Sequence, residues 1–290
     1  MAKIGLFITL VFVTTLSYGT DQRTSVYQTK EVVFSSHSAQ LSGTLVLPIN
    51  KQAVAAVVFI HGSGKQTRFL QGAERFAQDG IAALVYDKRG VGESGGEFEG
   101  KNPVSEKNLK LLADDALAAF KVLAKHPKLK NLPLGLTGIS QAGWIAPIAA
   151  EKALSSDSAN VDFMVLWSGP VCKVSEEDIF SKYTKDLDSG IVPSYKEALD
   201  ARLLPYVWPS FLGEDTNPND SLKKLNIPGL WVFGAKDGSV PVDLSIERLN
   251  ALKQSGLPYE YVLFSDAGHN NMKVSFSMVT DWIRNLEWNI

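Results

Sequence analysis

Leu134-Gly-Leu-Thr-Gly-Ile-Ser140-Gln-Ala-Gly-Trp-Ile-Ala-Pro147 is the stretch on which the fold turns. Leu134–Thr137 reads as a strand, and Gln141–Leu154 reads as an otherwise apolar helix containing Pro147. Only Gly138-Ile-Ser140 lies between them. A strand that passes into a helix over one serine crowds its own backbone, so the positions two residues either side must be small. Those positions are Gly138 and Ala142. Alanine departs from the strict G-x-S-x-G pattern but stays small. Ser140 is therefore the candidate nucleophile.

Outward from this turn, strands and helices alternate. Val26–Ser36 and Ala39–Leu47 read as two strands joined by a short polar turn. Val54–Ile60 and Ile81–Tyr86 are continuous apolar runs, as expected of strands covered on both faces. Phe69, Ala73, Phe76 and Ala77 follow the first run at helical spacing, and a long helix is predicted from Glu106 to His126. Beyond the serine turn, Val161–Trp167, Leu230–Phe233 and Tyr259–Phe264 read as strands. Helices are predicted over Val242–Ser255 and Val274–Leu286. The alternation implies βαβ units and a mostly parallel sheet. It breaks once, between Pro170 and Pro228, where helical patterns and no obvious strand appear. This predicts a helical cap over about 171–227, whose Tyr206, Trp208 and Phe211 would roof the pocket above Ser140. An enclosed roof of that kind favours small acyl groups over long lipid chains.

Two other patterns compete with Ser140. Gly92-Glu-Ser94-Gly-Gly96 is a literal G-x-S-x-G, but its strand ends near Asp87 and Glu97–Pro103 reads as loop. No helix N-terminus stands there to assist an oxyanion. Gly90-Val-Gly92-Glu-Ser-Gly95 is a literal G-x-G-x-x-G, which binds a dinucleotide only where it opens a helix. None opens. Arg89, beside Asp87, reads as a pin for this glycine-rich loop.

A serine hydroxyl needs an adjacent base. Of the four histidines, His37, His61, His126 and His269, the last follows the final predicted strand in Ser265-Asp-Ala-Gly-His269. That is the end of the sheet where sites form in open α/β folds. His37 sits in a turn, His126 at a helix end, and His61 buttresses its loop. The acid that orients the base should follow the strand after the insertion, and Gly234-Ala-Lys-Asp237-Gly supplies Asp237. Asp243 is a rival, better explained by the dipole of the helix it opens. The order Ser, Asp, His is the one required when the nucleophile sits on a strand-to-helix turn. For an oxyanion, the Gln141 N–H follows the nucleophile and a second donor is expected from His61-Gly-Ser-Gly64, at Ser63.

The composition excludes other classes. The chain has 290 residues and a formal net charge of −2, which gives no general drive toward nucleic acid or an anionic membrane. One cysteine, Cys172, excludes an internal disulfide, and it reads as a small buried apolar residue. Lys3, the apolar run Ile4–Leu16 and Ser17-Tyr18-Gly19 read as a secretory signal over residues 1–19. A periplasmic or secreted protein starting near Thr20 is expected, with no stable membrane association after cleavage.

HGSG at 61–64, YDKRGVGES at 86–94, GISQAG at 138–143, GAKDGSVP at 234–241 and AGH at 267–269 together resemble the α/β-hydrolase superfamily. The chain looks most similar to exported bacterial esterases and to relatives of the dienelactone hydrolase and serine aminopeptidase groups, whose first strands also resemble Leu41–Pro48. The resemblance implies an eight-stranded, mostly parallel sheet with an antiparallel start. The leading expectation is a serine esterase acting on small-molecule carboxylic esters through an acyl-enzyme, with no metal or organic cofactor. A peptidase on the same triad is the alternative. It would need acidic or polar recognition of a peptide terminus, and no clear acidic cluster stands out in the insertion. A non-catalytic hydrolase-like binding protein is a third class, opposed by the complete Ser140, Asp237 and His269 set.

Overall fold

A computed structural model describes residues 25–97, 102–156 and 160–286. The signal reading over 1–19 and part of the expected loop at 97–103 lie outside them. The strands are β1 (Tyr27–Ser36), β2 (Ala39–Pro48), β3 (Ala55–Ile60), β4 (Ile81–Tyr86), β5 (Leu134–Ile139), β6 (Phe163–Trp167), β7 (Gly229–Gly234) and β8 (Tyr259–Phe264). They form one sheet in the order β1-β2-β4-β3-β5-β6-β7-β8. β1 and β2 are antiparallel and β2 meets β4 antiparallel, while every later pairing is parallel. This is the mostly parallel eight-stranded sheet with an antiparallel start that the motifs implied.

The helices are α1 (Leu70–Gln78), α2 (Glu106–Ala124), α3 (Ala142–Leu154), α4 (Val174–Thr184), α5 (Tyr195–Asp200), α6 (Pro218–Leu222), α7 (Val242–Gln254) and α8 (Met272–Asn285). α2 ends two residues before His126, ahead of Pro127, whose ring disfavours helix in the residue before it. No helix among the described residues is long and apolar enough to cross a membrane.

Alternate residues of each central strand serve two cores. Ala56, Val58, Ile60, Leu134, Leu136, Met164, Leu166, Trp231 and Phe233 meet α2, α3 and α7 on one face. Val57, Phe59, Phe163, Val165, Trp167, Leu230 and Val232 meet α1 and α8 on the other. Every residue of β3, β4, β6 and β7 is buried, which explains their lack of polar alternation. The edge strands β1 and β8 are instead largely open to solvent, with Lys30, Glu31 and Glu260 exposed.

The chain leaves β3 for β4 on one side and returns to β5 on the other. The C-terminal ends of β3 and β5 therefore flank the point where strand order reverses, and a crevice opens there in sheets of this kind. The strand β3 ends at His61-Gly-Ser63 and β5 ends at Ile139-Ser140.

Arg89 pins the glycine-rich loop to α2. Its Nε donates to Asp115 Oδ2 at 3.0 Å and its Nη2 to Asp115 Oδ1, both residues being buried. Nη2 also reaches the Ser36 carbonyl at 3.3 Å. Asp115→Ala leaves the guanidinium buried and unpaired. It is expected to lower stability by about 3–5 kcal/mol in urea denaturation, and replacing both partners with apolar residues should recover most of that loss.

Candidate active site

Ser140 adopts φ 55°, the left-handed conformation that a non-glycine residue takes only under constraint. Its N–H donates to Trp167 O at 2.9 Å and its carbonyl accepts from Gly143 N–H at 2.8 Å, so the turn is closed on both sides. Gly138 explains the tolerance for alanine at 142. A Cβ on Gly138 would lie 2.5 Å from both Ala142 Cβ and Ile60 O. One of the two positions can carry a methyl group because the other carries none.

Asp237, fully buried, faces the imidazole of His269. Nδ1 lies 3.0 Å from Oδ1 and 2.9 Å from Oδ2. The carboxylate also accepts from Ser239 N–H at 2.8 Å and Val240 N–H at 2.9 Å, which fixes its orientation. Asp243, the rival, instead accepts from Tyr195 N–H at 2.9 Å and serves the start of α5.

Burial works against a charge on His269. The bond to Asp237 and the negative charges of Asp237, Asp188 and Asp186 outweigh it, and its pKa stands above the ordinary histidine value. His61 behaves oppositely. Burial, then the nearby Lys88 charge, lower its pKa to about 4. It packs edge-on against Tyr86 at 5.2 Å between ring centroids and buttresses its loop.

Ser140 and His269 line one cleft of about 1010 Å³, with Gly62 and Ser63 at its β3 end. Its apolar wall is Phe59, Phe69, Ile139, Met272 and Phe276, and its remaining sides come from the loop after β3, α1 and the start of α8. Tyr206, Trp208 and Phe211 are not among the lining residues, which corrects the expected roof. Tyr206 donates to Asp178 Oδ2 at 2.8 Å, Trp208 Nε1 to Gly213 O at 2.8 Å, and Phe211 is 74% exposed. Their spacing carried no information on which face they would meet.

The Ser94 hydroxyl is spent on the scaffold. It donates to Asp87 O at 2.6 Å and accepts from Ser42 N–H at 3.0 Å, and it is buried. The literal pattern at 92–96 is therefore a loop tie.

Two residues were missed by sequence reasoning. Lys88 is only 2% exposed, and its Nζ donates to Gly62 O and to Gln141 Oε1, each at 2.8 Å. Gln141 Nε2 donates in turn to Pro103 O at 2.6 Å. Lys88 thus joins the loop after β3 to the residue after Ser140, and burial lowers its pKa to about 7. The only available signal was a lysine two residues past an apolar strand. Asp188 is the second. Both its oxygens accept the His269 N–H at 3.1 Å, and Oδ1 accepts from Gly238 N–H at 3.2 Å. A Cβ on Gly268 would fall 1.9 Å from this carboxylate, so the glycine before His269 makes room for it. With Glu177, Asp178 and Asp186 also in the insertion, the structure gathers the acidic group that the sequence did not reveal. Burial and the charges of Asp186, Asp178 and Asp237 push the Glu177 pKa up to about 8.

The fold has many relatives among solved structures. An esterase of Pyrococcus furiosus matches with a TM-score of 0.60 at 19% identity, over 93% of both chains. A Pyrococcus horikoshii acylaminoacyl peptidase matches at TM-score 0.66 and 18% identity, over 93% of this chain and 44% of that one. An Anabaena variabilis dienelactone hydrolase matches at TM-score 0.55 and 19% identity, over 89% and 97%. At these identities the likeness shows the fold. By sequence, the polyketide transferase claH of Penicillium crustosum is 34% identical over 135 residues, spanning 42% of this chain and 40% of that protein. The uncharacterized peptidase YtmA of Bacillus subtilis is 22% identical over 88% of this chain and 92% of that protein. The family model described as "Serine aminopeptidase, S33" matches residues 51–204, more than half of the chain. With the sheet order, the serine turn and that match together, the chain belongs to the serine aminopeptidase S33 family of α/β-hydrolases.

Proposed function

We propose that this hydrolase cleaves carboxylic esters of small molecules through an acyl-enzyme, with Ser140 as nucleophile, His269 as base and Asp237 as its orienting acid. The observation that carries the reading is the left-handed Ser140 lining one cleft with an imidazole whose Nδ1 is held by a buried carboxylate. Nδ1 being occupied leaves Nε2 to take the serine proton as Oγ attacks the carbonyl. The alcohol departs with that proton. Water, deprotonated by the same nitrogen, then releases the acid. The N–H groups of Gln141 and Ser63 are the proposed oxyanion donors. No metal or organic cofactor enters this scheme.

In this reading residues 171–227 form a small helical cap beside the site rather than over it. The acyl group lies against Phe59, Phe69 and Phe276, so those rings set the accepted length, with small to medium chains favoured. Residues 1–19 are proposed as the export signal, which places the enzyme in the periplasm or outside the cell. A peptidase reading draws support from Asp186 and Asp188, whose charges would meet an amine, whereas burial and neighbouring acids leave the Glu177 carboxyl largely protonated near neutral pH. Those side chains do not line the cleft and act on His269 and Asp237 from behind, which favours the ester.

Ser140→Ala is expected to abolish labelling by a fluorophosphonate probe and to lower kcat on short-chain 4-nitrophenyl esters by several orders of magnitude, with the fold intact by circular dichroism. Labelling that survives Ser140→Ala but not Ser94→Ala would overturn the assignment.

The pH profile follows from the raised His269 pKa. The base must be neutral, so kcat/KM rises with pH through a midpoint above the usual ~6.5. Asp188→Asn removes one of the charges that raise it, and the midpoint should move to lower pH.

Lys88 positions rather than reacts. Lys88→Met keeps the buried stem but loses both hydrogen bonds to the oxyanion loops. It should lower kcat about tenfold with KM little changed, short of the ~100-fold expected for loss of an oxyanion donor itself.

A further inference from the structure

The cleft that holds Ser140 and His269 is lined by four charged side chains besides the histidine, Lys65, Arg68, Arg75 and Lys273, and all four are cations. The chain as a whole carries a formal charge of −2, so composition does not account for this segregation. Arg68 is compensated, because its guanidinium meets Asp87 at 2.9 Å, Glu31 at 2.6 Å and Glu93 at 2.7 Å. Lys65, Arg75 and Lys273 form no ion pair among the described residues. They come from three separate elements: the loop after β3, the last turn of α1 and the first turn of α8. Arg75 lies over the Phe276 ring, 4.5 Å from its centroid, in the apolar wall of the same cleft. Stacking uses the face of a guanidinium and leaves its N–H edge for an acceptor.

The backbone adds charge of the same sign. The first turns of α1 and α8 both border the cleft, through Gln71 and Gly72 and through Met272 and Lys273. The N-terminal end of a helix is partly positive and is usually complemented by an acid. Neither helix has an acidic residue in its first turn. In α8 a lysine stands where a carboxylate would stabilise the helix, so local helix stability does not explain it.

Resting on the ester-hydrolase reading, we infer that the substrate carries an anionic group, a carboxylate or phosphate set apart from the scissile ester, which Lys65, Arg75 and Lys273 receive. A neutral ester uses the aromatic wall alone. An anionic one gains these three charges as well, and the gain is sensitive to salt because all three side chains are exposed.

The test compares matched ester pairs on the mature enzyme. On the acyl side, the mono-4-nitrophenyl ester of adipic acid is set against 4-nitrophenyl 6-methylheptanoate, which puts an isopropyl group in place of the carboxylate. On the alcohol side, 4-acetoxybenzoate is set against 4-isopropylphenyl acetate. The expected result is a higher kcat/KM for the anionic member of at least one pair, a preference that shrinks with added salt. In the Lys65→Gln, Arg75→Gln, Lys273→Gln triple variant that anionic-to-neutral ratio should fall about tenfold, the order expected of three exposed charges together. Calorimetry of adipic acid monoanilide binding to Ser140→Ala, with and without the triple substitution, reads the anion site independently of turnover and should show weaker binding in the triple variant. Ester turnover with a ratio that the triple variant leaves unmoved in both pairs overturns this inference while sparing the ester reading. Absence of ester turnover and of fluorophosphonate labelling, with charge-dependent monoanilide binding retained, overturns the ester reading instead. Monoanilide binding that is absent, or the same with and without the three cations, also overturns the inference.

Discussion

The parallel pairing of β3 with β5 is the constraint on which the site depends. Ile60 lies opposite Gly138 in that ladder, and the Ile60 carbonyl would be only 2.5 Å from any Cβ placed on Gly138. This contact sets the serine turn directly against the segment that leaves β3. Ser140 and Ser63 then border the same cleft although they lie far apart in sequence. The apolar burial of both strands supplies the stability that holds Ser140 at a positive φ. A slip of one residue in this pairing would turn every side chain of β5 to the opposite core.

Around His269 the charges are segregated. Asp237 on Nδ1 and the charges of Asp188 and Asp186 favour the protonated form of the ring, the form that the proposed general base would take on accepting the serine proton. The cations stand on the cleft side, where substrate and the developing oxyanion would lie. The near pairs contribute most. Nδ1 sits 2.9 Å from a carboxylate with no exposed surface, whereas Lys65 and Lys273 are exposed and largely screened beyond about 8–10 Å at ordinary salt. The acids therefore set the chemistry of the imidazole, and the cations act on what approaches it.

Much of this was legible in the sequence because single-element periodicity and turn chemistry carry it. β3 and β4 show as unbroken apolar runs since both faces are covered, and the Ser140 turn shows because its crowding admits only small residues at 138 and 142. What failed to show depends on packing between distant segments. Nothing in Tyr206, Trp208 and Phe211 says which surface the insertion meets. The grouping of Asp186 and Asp188 behind His269 follows from contacts spanning some eighty positions, such as the bond from His269 N–H to Asp188. Lys88 escaped notice because a lysine after a strand is normally solvated, and only the structure shows that its ammonium ends on Gly62 and Gln141.

The segment 86–94 shows how a motif can resemble chemistry while building the frame for it. Asp87 accepts from Arg68 N–H at 2.7 Å and from Glu93 N–H at 3.0 Å, and it pairs with the Arg68 guanidinium. Burial alone would raise the Asp87 pKa, but these bonds hold it below the ordinary carboxylate value. Arg68 also reaches Ser42 and Thr44 on β2, while Arg89 reaches Asp115 on α2. Removing Arg68 strands the buried Asp87 carboxylate, and removing Asp115 strands the buried Arg89 guanidinium, so each pair persists as a unit. Lys88 lies between Asp87 and Arg89, with both neighbours anchored to different elements. Its backbone is therefore fixed on either side, and its long side chain can hold one position despite the rotamer entropy it gives up. The serine and glycines of this segment serve that rigidity, and through Lys88 the rigidity extends to the residue after Ser140.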